Sequence, residues 1–306
     1  TPPEVDQAFV WNVHILQPLT GKDLPQELLL PVVYGYIEFK ELRIGGAEFQ
    51  LGIVSRRSRF NVGTRFLRRG LNEQGFVANH VETELILIEH LPLTFAIKNV
   101  CAFVFVRGSI PAVWGHEKTK LSPKPPILIN AERDPQFLLS EAHFRRLFEK
   151  YGEQVCVINL LKKSQKSSEN RLGELYQSIV EGLNKRMRGQ GQMLRWQWLD
   201  FFSFYHKSEK MLIQWVQKSA RESLKHISFF HHSAFAPTQR SQKGVIRVSC
   251  IDCLDRTNNV IAIMSTVVLA KMLKVCGART RAVVDPVAHA VKNELLACLF
   301  EMFGVN

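Results

Sequence analysis

From residue 30 onward, apolar and polar positions alternate over short stretches. PVVYGYIEF (31–39), FQLGIVS (49–55), VETELILIE (81–89) and LTFAIKNVCAFVFV (93–106) are rich in β-branched and aromatic residues and are separated by glycine-containing turns, which predicts strands. Past residue 140 the period becomes helical. In EAHFRRLFEKYG (141–152), Phe144, Leu147, Phe148 and Tyr151 share one face and Gly152 is placed as a stop. QVCVINLL (154–161) reads as a short buried strand, NRLGELYQSIVEGLNKRM (170–187) as a second amphipathic helix and residues 207–227 as a third. GVIRVS (244–249) predicts a strand and NNVIAIMSTVVLAKMLKV (258–275) a strongly apolar helix. HEKTKLSPKPPI (116–127) and APTQRSQKG (236–244) read as polar loops. There is no internal repeat and no low-complexity block. The expected fold is α/β, a mixed β-sheet flanked by helices. Residues 1–30 form a lead-in segment and 31–306 one domain, β-rich to about residue 115 and α/β thereafter.

Composition narrows the class. The 306 residues are 46% hydrophobic and 22% charged, which excludes wholesale disorder, collagen and coiled coil as global answers. The net charge of +12 points to an anionic partner: a phosphorylated small molecule, nucleic acid or an acidic membrane surface. Six cysteines, with Cys250 and Cys253 the only close pair, are too few for a disulfide scaffold. With no N-glycosylation sequon, they favour a reducing, cytoplasmic setting. The longest uncharged apolar stretch, Val260 to Ala270, is too short to span a bilayer. The N-terminus does not read as a signal peptide. The chain starts without Met, so an anchor outside it stays open.

The chemistry concentrates in RVSCIDCLDRTN (247–258). A predicted strand delivers Cys250, a short turn follows, and a long helix is expected to begin near Thr257 or Asn258. Cys250 and Arg256 bracket five residues and Thr257 follows, the Cys-x5-Arg-Thr spacing of cysteine-based phosphatases. Five residues between strand and helix let backbone N–H groups converge on a phosphate dianion at the positive end of a helix. That makes Ile251, Cys253, Leu254 and Asp255 expected contributors to a phosphate-binding loop. Arg256 supplies a planar fork for two phosphoryl oxygens. The same field favours the Cys250 thiolate, and Thr257 offers its hydroxyl to the sulfur. The expected reaction is two-step: Cys250 attacks phosphorus, then water hydrolyses the cysteinyl-phosphate. This chemistry requires no metal or other cofactor, because amides and Arg256 already carry the equatorial charge. An alkyl leaving group needs a proton. Asp252 and Asp255 are the nearest acids, and Asp252 is the favoured donor.

CIDCLDRTN closely resembles the CxDCLDRTN signature of the Sac-domain phosphoinositide phosphatases. SRRSRFNVGTRFLRRG (55–70), GFVANHVETELIL (75–87), VRGSIPAVW (106–114), NLLKKSQKSSENRLGELY (159–176) and FVWN (9–12) resemble further segments of that family, in the same order. The resemblance implies a metal-independent phosphatase acting on the inositol ring of membrane phosphoinositides, peripheral at the cytosolic face. It implies Cys250 as nucleophile, Arg256 as phosphate binder and Lys166 as a substrate-phosphate contact. Family members carry an N-terminal lobe before the catalytic part; this chain begins near FVWN, so that lobe is expected to be missing or to lie outside it. Ser249 stands where the family usually has Asn, His80 where Phe is usual, and Ser167 where Gly is usual.

Other readings stay open on the residues alone. They are a catalytically weak phosphoinositide-binding or scaffold module, a protein phosphatase, and, from charge, a nucleic-acid binder, although no recognised nucleic-acid module is present. A regulatory protein partner is also left open. Cys250-x2-Cys253 lacks a second ligand pair for zinc, and the Asp-Arg-Thr continuation argues against a thioredoxin-like pair. The run Arg56, Arg57, Arg59, Arg65, Arg68 and Arg69 reads as a solvated face paired with Glu82 and Glu84, or as a surface for anionic lipid. His231-His232 reads as a surface or loop feature, and Trp114 as a packing residue.

Overall fold

The computed structural model describes residues 6–19, 21–22, 24–63, 67–92, 94, 96–117, 125–252, 255–278 and 289–305. After a single helical turn, α1 (Val13–Leu16), the predicted strands appear as β1 (Gly35–Ile44), β2 (Ala47–Arg57), β3 (Val81–His90) and β4 (Ile97–Arg107), paired antiparallel in that order. The β1–β2 turn is Gly45-Gly46, both at positive φ (59° and 83°), the geometry a two-residue hairpin demands.

The middle of the chain holds a small antiparallel pair, β5 (Trp114–His116) with β6 (Ile127–Ile129). Residues 118–124 of the Lys/Pro segment between them lie outside the described residues. Then come α2 (Leu138–Tyr151), β7 (Gln154–Asn159), α3 (Ser168–Arg186), β8 (Met193–Trp198), α4 (Phe201–Lys207) and α5 (Glu209–Ile227). The chain closes with β9 (Phe230–Ser233), β10 (Ala236–Arg240), β11 (Gly244–Ser249), α6 (Asp255–Val275) and α7 (His289–Val305).

The main sheet runs β1-β2-β3-β4-β11-β7-β8, with β4, β11, β7 and β8 parallel. One edge of β4 is shared. Its first half (Asn99–Ala102) takes β9 antiparallel, and its second half (Phe105–Arg107) takes β11 parallel. The Gln242 side chain fills the gap between them: Val104 N donates to its Oε1 at 2.8 Å, and its Nε2 donates to the carbonyls of Val104 (3.0 Å) and Gly244 (2.8 Å). Gly244 itself passes so close to β7 that a Cβ there would sit 2.0 Å from the Gln154 carbonyl oxygen.

Every residue of β11 is buried, because both faces of the parallel half are covered. Ile246, Val248 and Cys250 face a core shared with α5, α6 and α7, which includes Phe103, Phe105, Val260 and Met264. Val245 faces the second core, built with Phe144, Leu147, Leu172 and Tyr176 of α2 and α3. Each fully buried large apolar side chain contributes about 1.5–3 kcal/mol relative to exposure.

Several expectations need correction. Part of the 236–244 stretch is strand β10, held by pairing with β9 rather than by its own propensity. His231 is no surface loop residue. It lies buried on β9 with Nε2 3.0 Å from Asn99 Oδ1. The apolar helix begins at Asp255, two to three residues earlier than expected. At 21 residues α6 is long and apolar enough to cross a membrane by composition, yet 61% of its apolar window is buried among protein, the position of a core helix. Trp114 is a packing residue: it is buried and its Nε1 donates to the Ile110 carbonyl at 3.1 Å.

Candidate active site

Parallel strands that end together leave their following turns on one edge, and in open α/β sheets ligands bind at that edge. Here the turns after β7, β8 and β11 enclose a cavity of about 1000 Å³. The turn after β11 contributes Ile251, Asp252, Asp255 and Arg256. The turn after β7 and the start of α3 contribute Lys162, Ser164, Ser167 and Glu169. The segment after β8 contributes Asp200, Phe202 and Lys207, and the β5–β6 pair adds His116.

Hydrogen bonds fix this rim. Ser167 caps α3, its Oγ accepting from Glu169 N at 3.2 Å, and Asp200 caps α4, its Oδ1 accepting from Ser203 N at 3.0 Å. The second Asp200 oxygen accepts from Lys163 N at 2.9 Å, and Glu169 Oε2 accepts from Lys162 N at 3.0 Å. Asp252 is gripped by Arg69, with Nη2 2.6 Å from Oδ1 and the Arg69 side chain only 2% exposed. Three cavity carboxylates are therefore committed to backbone N–H groups or to Arg69, while Asp255 sits exposed in the first turn of α6, where the helix dipole favours it.

Arg256 is held differently. Its guanidinium stacks 4.9 Å from the Phe202 ring centroid, and Nη1 lies 3.6 Å from Glu169 Oε2, an ion pair too long for a hydrogen bond. That Nη1 is buried and has no hydrogen-bond partner among the described residues. A buried donor left in this state carries a free-energy penalty that an incoming acceptor relieves.

The other sequence-predicted residues fall around this point. Cys250 follows β11 directly and is 1% exposed; it is not among the residues lining the cavity. Thr257 is fully buried in the first turn of α6. Cys253 and Leu254 lie outside the described residues. Lys166 is exposed on the turn before α3 and does not line the cavity, whereas Lys162 and Lys207 do. The arginine run divides. Arg56 forms the expected pairs with Glu82 and Glu84, each at 2.8 Å, Arg57 donates to Asn79, and Arg69 turns inward to Asp252. Arg65 lies outside the described residues. Sequence reasoning missed Glu169, Phe202, Asp200 and His116 as cavity residues. Among the described residues no three His, Cys, Asp or Glu side chains converge to hold a metal ion.

A second cavity of about 520 Å³ is lined by His80 and His143 among aromatic and aliphatic side chains and the charged Asp6, Arg146, Glu149 and Lys150. Burial, and then the charge of Arg247, push the pKa of His80 down from 6.5 to about 4, and push His143 well below its ordinary value. The unfolded chain binds more protons below pH 6.5, so stability is full above that pH and is lost as pH falls toward 4. The melting temperature is expected to drop across that window, with a cost on the order of 2–3 kcal/mol for His80 alone at the acid end. His80→Phe should flatten the slope; an unchanged slope in that variant would place the effect elsewhere.

The family model described as the SacI homology domain matches residues 1–206, a stretch that ends before β11. The polyphosphoinositide phosphatase of Schizosaccharomyces pombe is 32% identical over 98% of this chain and 37% of its own length. Two Arabidopsis thaliana proteins are similar as well. Phosphoinositide phosphatase SAC4 is 30% identical over 82% of this chain and 36% of its own, and phosphatidylinositol-3-phosphatase SAC1 is 28% identical over 97% and 39%. The chain thus spans well under half the length of these relatives. With a match across two thirds of its residues, the chain belongs to the SacI homology domain family.

Proposed function

We propose that the chain is the catalytic part of a phosphoinositide phosphatase, which removes a phosphate from the inositol ring through a cysteinyl-phosphate at Cys250. The observation that carries this reading is Arg256 Nη1, buried without a hydrogen-bond partner among the described residues, at the edge of a cavity formed where β7, β8 and β11 end and α6 begins. A phosphoryl oxygen is an acceptor of the right charge for that donor, and the N-terminus of the 21-residue α6 favours an anion in the same place. The names of the curated relatives give the substrate class.

In this reading the Cys250 sulfur attacks phosphorus in line, and the bond from phosphorus to the ring oxygen breaks. Asp252, giving up its pairing with Arg69 to carry a proton, protonates that departing oxygen. Water then attacks phosphorus and gives a proton to the Asp252 carboxylate, the bond from phosphorus to sulfur breaks, and inorganic phosphate is released. The N–H groups of Ile251, Cys253, Leu254 and Asp255, together with Arg256, hold the equatorial oxygens, so no resident metal is required. Thr257 donates to the departing sulfur. Lys162 and Lys207 receive further ring phosphates inside the cavity, and exposed Lys166 meets anionic headgroups outside it. The protein works peripherally, at the cytosolic surface of an anionic membrane.

The burial of Cys250 favours a second reading, a module that binds phosphoinositides and turns them over slowly or not at all. The full panel of phosphoinositides in vesicles, assayed with a chelator present and with phosphopeptides in parallel, separates the readings. Metal-independent phosphate release from lipids supports the phosphatase. Vesicle binding without release supports the module. Phosphopeptide turnover alone overturns the lipid assignment.

A further inference from the structure

Arg247 lies on β11 three residues before Cys250 and is 0% exposed. Its Nε donates to His143 Nε2 at 3.0 Å, Nη1 to the Tyr176 hydroxyl at 2.9 Å and to the Ser249 hydroxyl, and Nη2 to the Ser109 carbonyl at 2.6 Å. All four acceptors are neutral. Histidine accepts at Nε2 only when deprotonated, and His143 is kept so by its burial and by Arg247 itself. His80, with its ring centroid 6.4 Å from that of His143, is neutral at ordinary pH for the same reasons. Among the described residues the hydrogen-bond partners of Arg247 include no carboxylate. A guanidinium buried without a counter-charge is among the costliest groups a core can hold, and a fold keeps it most readily where its charge is used.

We infer that Arg247 is a positioning residue of the site, a hidden cation behind the Cys250 turn whose counter-charge is the bound anion, and that its bonds to Ser249 and Ser109 tie the ends of β11 and β4 to that charge. This rests on the reading of the turn as a phosphate site. The Cα atoms of Arg247 and Cys250 are roughly 10 Å apart, at about 3.3 Å per strand residue, and the bond to Ser249 brings the guanidinium to the residue before Cys250. At that distance and an effective dielectric of about 20, each unit of anion charge gains on the order of tenfold in affinity. The arrangement also gives Ser249 a task, as acceptor for Arg247 at the residue that precedes the proposed nucleophile.

The test uses tungstate, a phosphate-like dianion, with affinity measured by calorimetry and folding by thermal melting. His143→Glu sets a carboxylate against Arg247 Nε and cancels its charge while leaving Arg247 in place. Arg247→Met deletes the charge, and Arg247→Lys keeps it without the fork. Expected are a loss of about tenfold or more in tungstate affinity for H143E and R247M, and retention within about threefold for R247K. H143E should melt no lower than the unsubstituted chain, because the buried charge is then paired. Unchanged affinity in folded H143E or R247M would reduce Arg247 to a structural role, and loss of affinity in folded R247K would equally overturn a role for its charge. Should R247M fail to fold, H143E and R247K each still decide the question. Failure of the unsubstituted chain to bind tungstate would overturn the phosphate-site reading, and the inference with it.

Discussion

Replacing Cys250 by Ser is expected to cut phosphate release from phosphoinositide vesicles by roughly a thousandfold or more, without abolishing binding. A serine hydroxyl has no comparable anionic form near neutral pH, and no general base is proposed to take its proton, so the attacking electron pair is lost. The phosphate grip should survive, since Arg256 and the start of α6 do not depend on the sulfur. Cys250 is 1% exposed and packs in the core beneath α6, so exchanging sulfur for a hydroxyl should cost about 1–3 kcal/mol of stability. A serine variant that stays folded and binds vesicles but is silent is the expected profile. Turnover equal to the unsubstituted chain would end the proposal.

The second large effect is expected at Arg256. Lysine there keeps the charge but not the fork, and it gives up the stack on Phe202 at 4.9 Å. Loss of one preorganised donor to developing charge typically costs about 10²–10³ in kcat. Arg256→Lys should therefore lower kcat far more than it raises KM, because the equatorial oxygens need the fork most as the phosphoryl group transfers. An effect on KM alone would mean that Arg256 holds substrate and transition state equally, which would remove it from the chemical step.

The long strands of the first half and the amphipathic helices were the most legible parts of the sequence, whereas β8 and the short strands β5, β6, β9 and β10 went unread. GVIRVS is β11 residue for residue, because Val245, Ile246 and Val248 mark a strand buried on both faces even though Arg247 and Ser249 interrupt the apolar run. The segment around Cys250 was legible as chemistry, because its residue types and spacing lie within one turn of chain. The cavity around it was not. Glu169, Asp200 and Phe202 share a cavity with Arg256 only because β7 lies beside β11 and β8 beside β7, and local periodicity does not encode strand order. The pairing of Arg69 with Asp252 joins residues 183 apart in the chain. Arg69 belonged to a run whose ordinary reading is a solvated face paired with Glu82 and Glu84; Arg56 makes those pairs, but with Glu82 buried rather than solvated. Arg247 was hidden for the opposite reason. Arginine is rarely buried whole, and nothing in the surrounding residues announces that His143, Tyr176 and Ser109 converge on it. His231 misled in the same way, since two adjacent histidines look like a surface feature until β9 pairs with β4.

The central claim is a covalent bond between sulfur and phosphorus. Rapid acid quenching during turnover of a phosphoinositide, followed by peptide mass spectrometry, tests it most directly. The account predicts a phosphoryl adduct on the Cys250 peptide that forms with substrate, decays as substrate is consumed and is absent from Cys250→Ser. A phosphoryl adduct on another residue, or steady turnover with no adduct on Cys250 at any quench time, would contradict it.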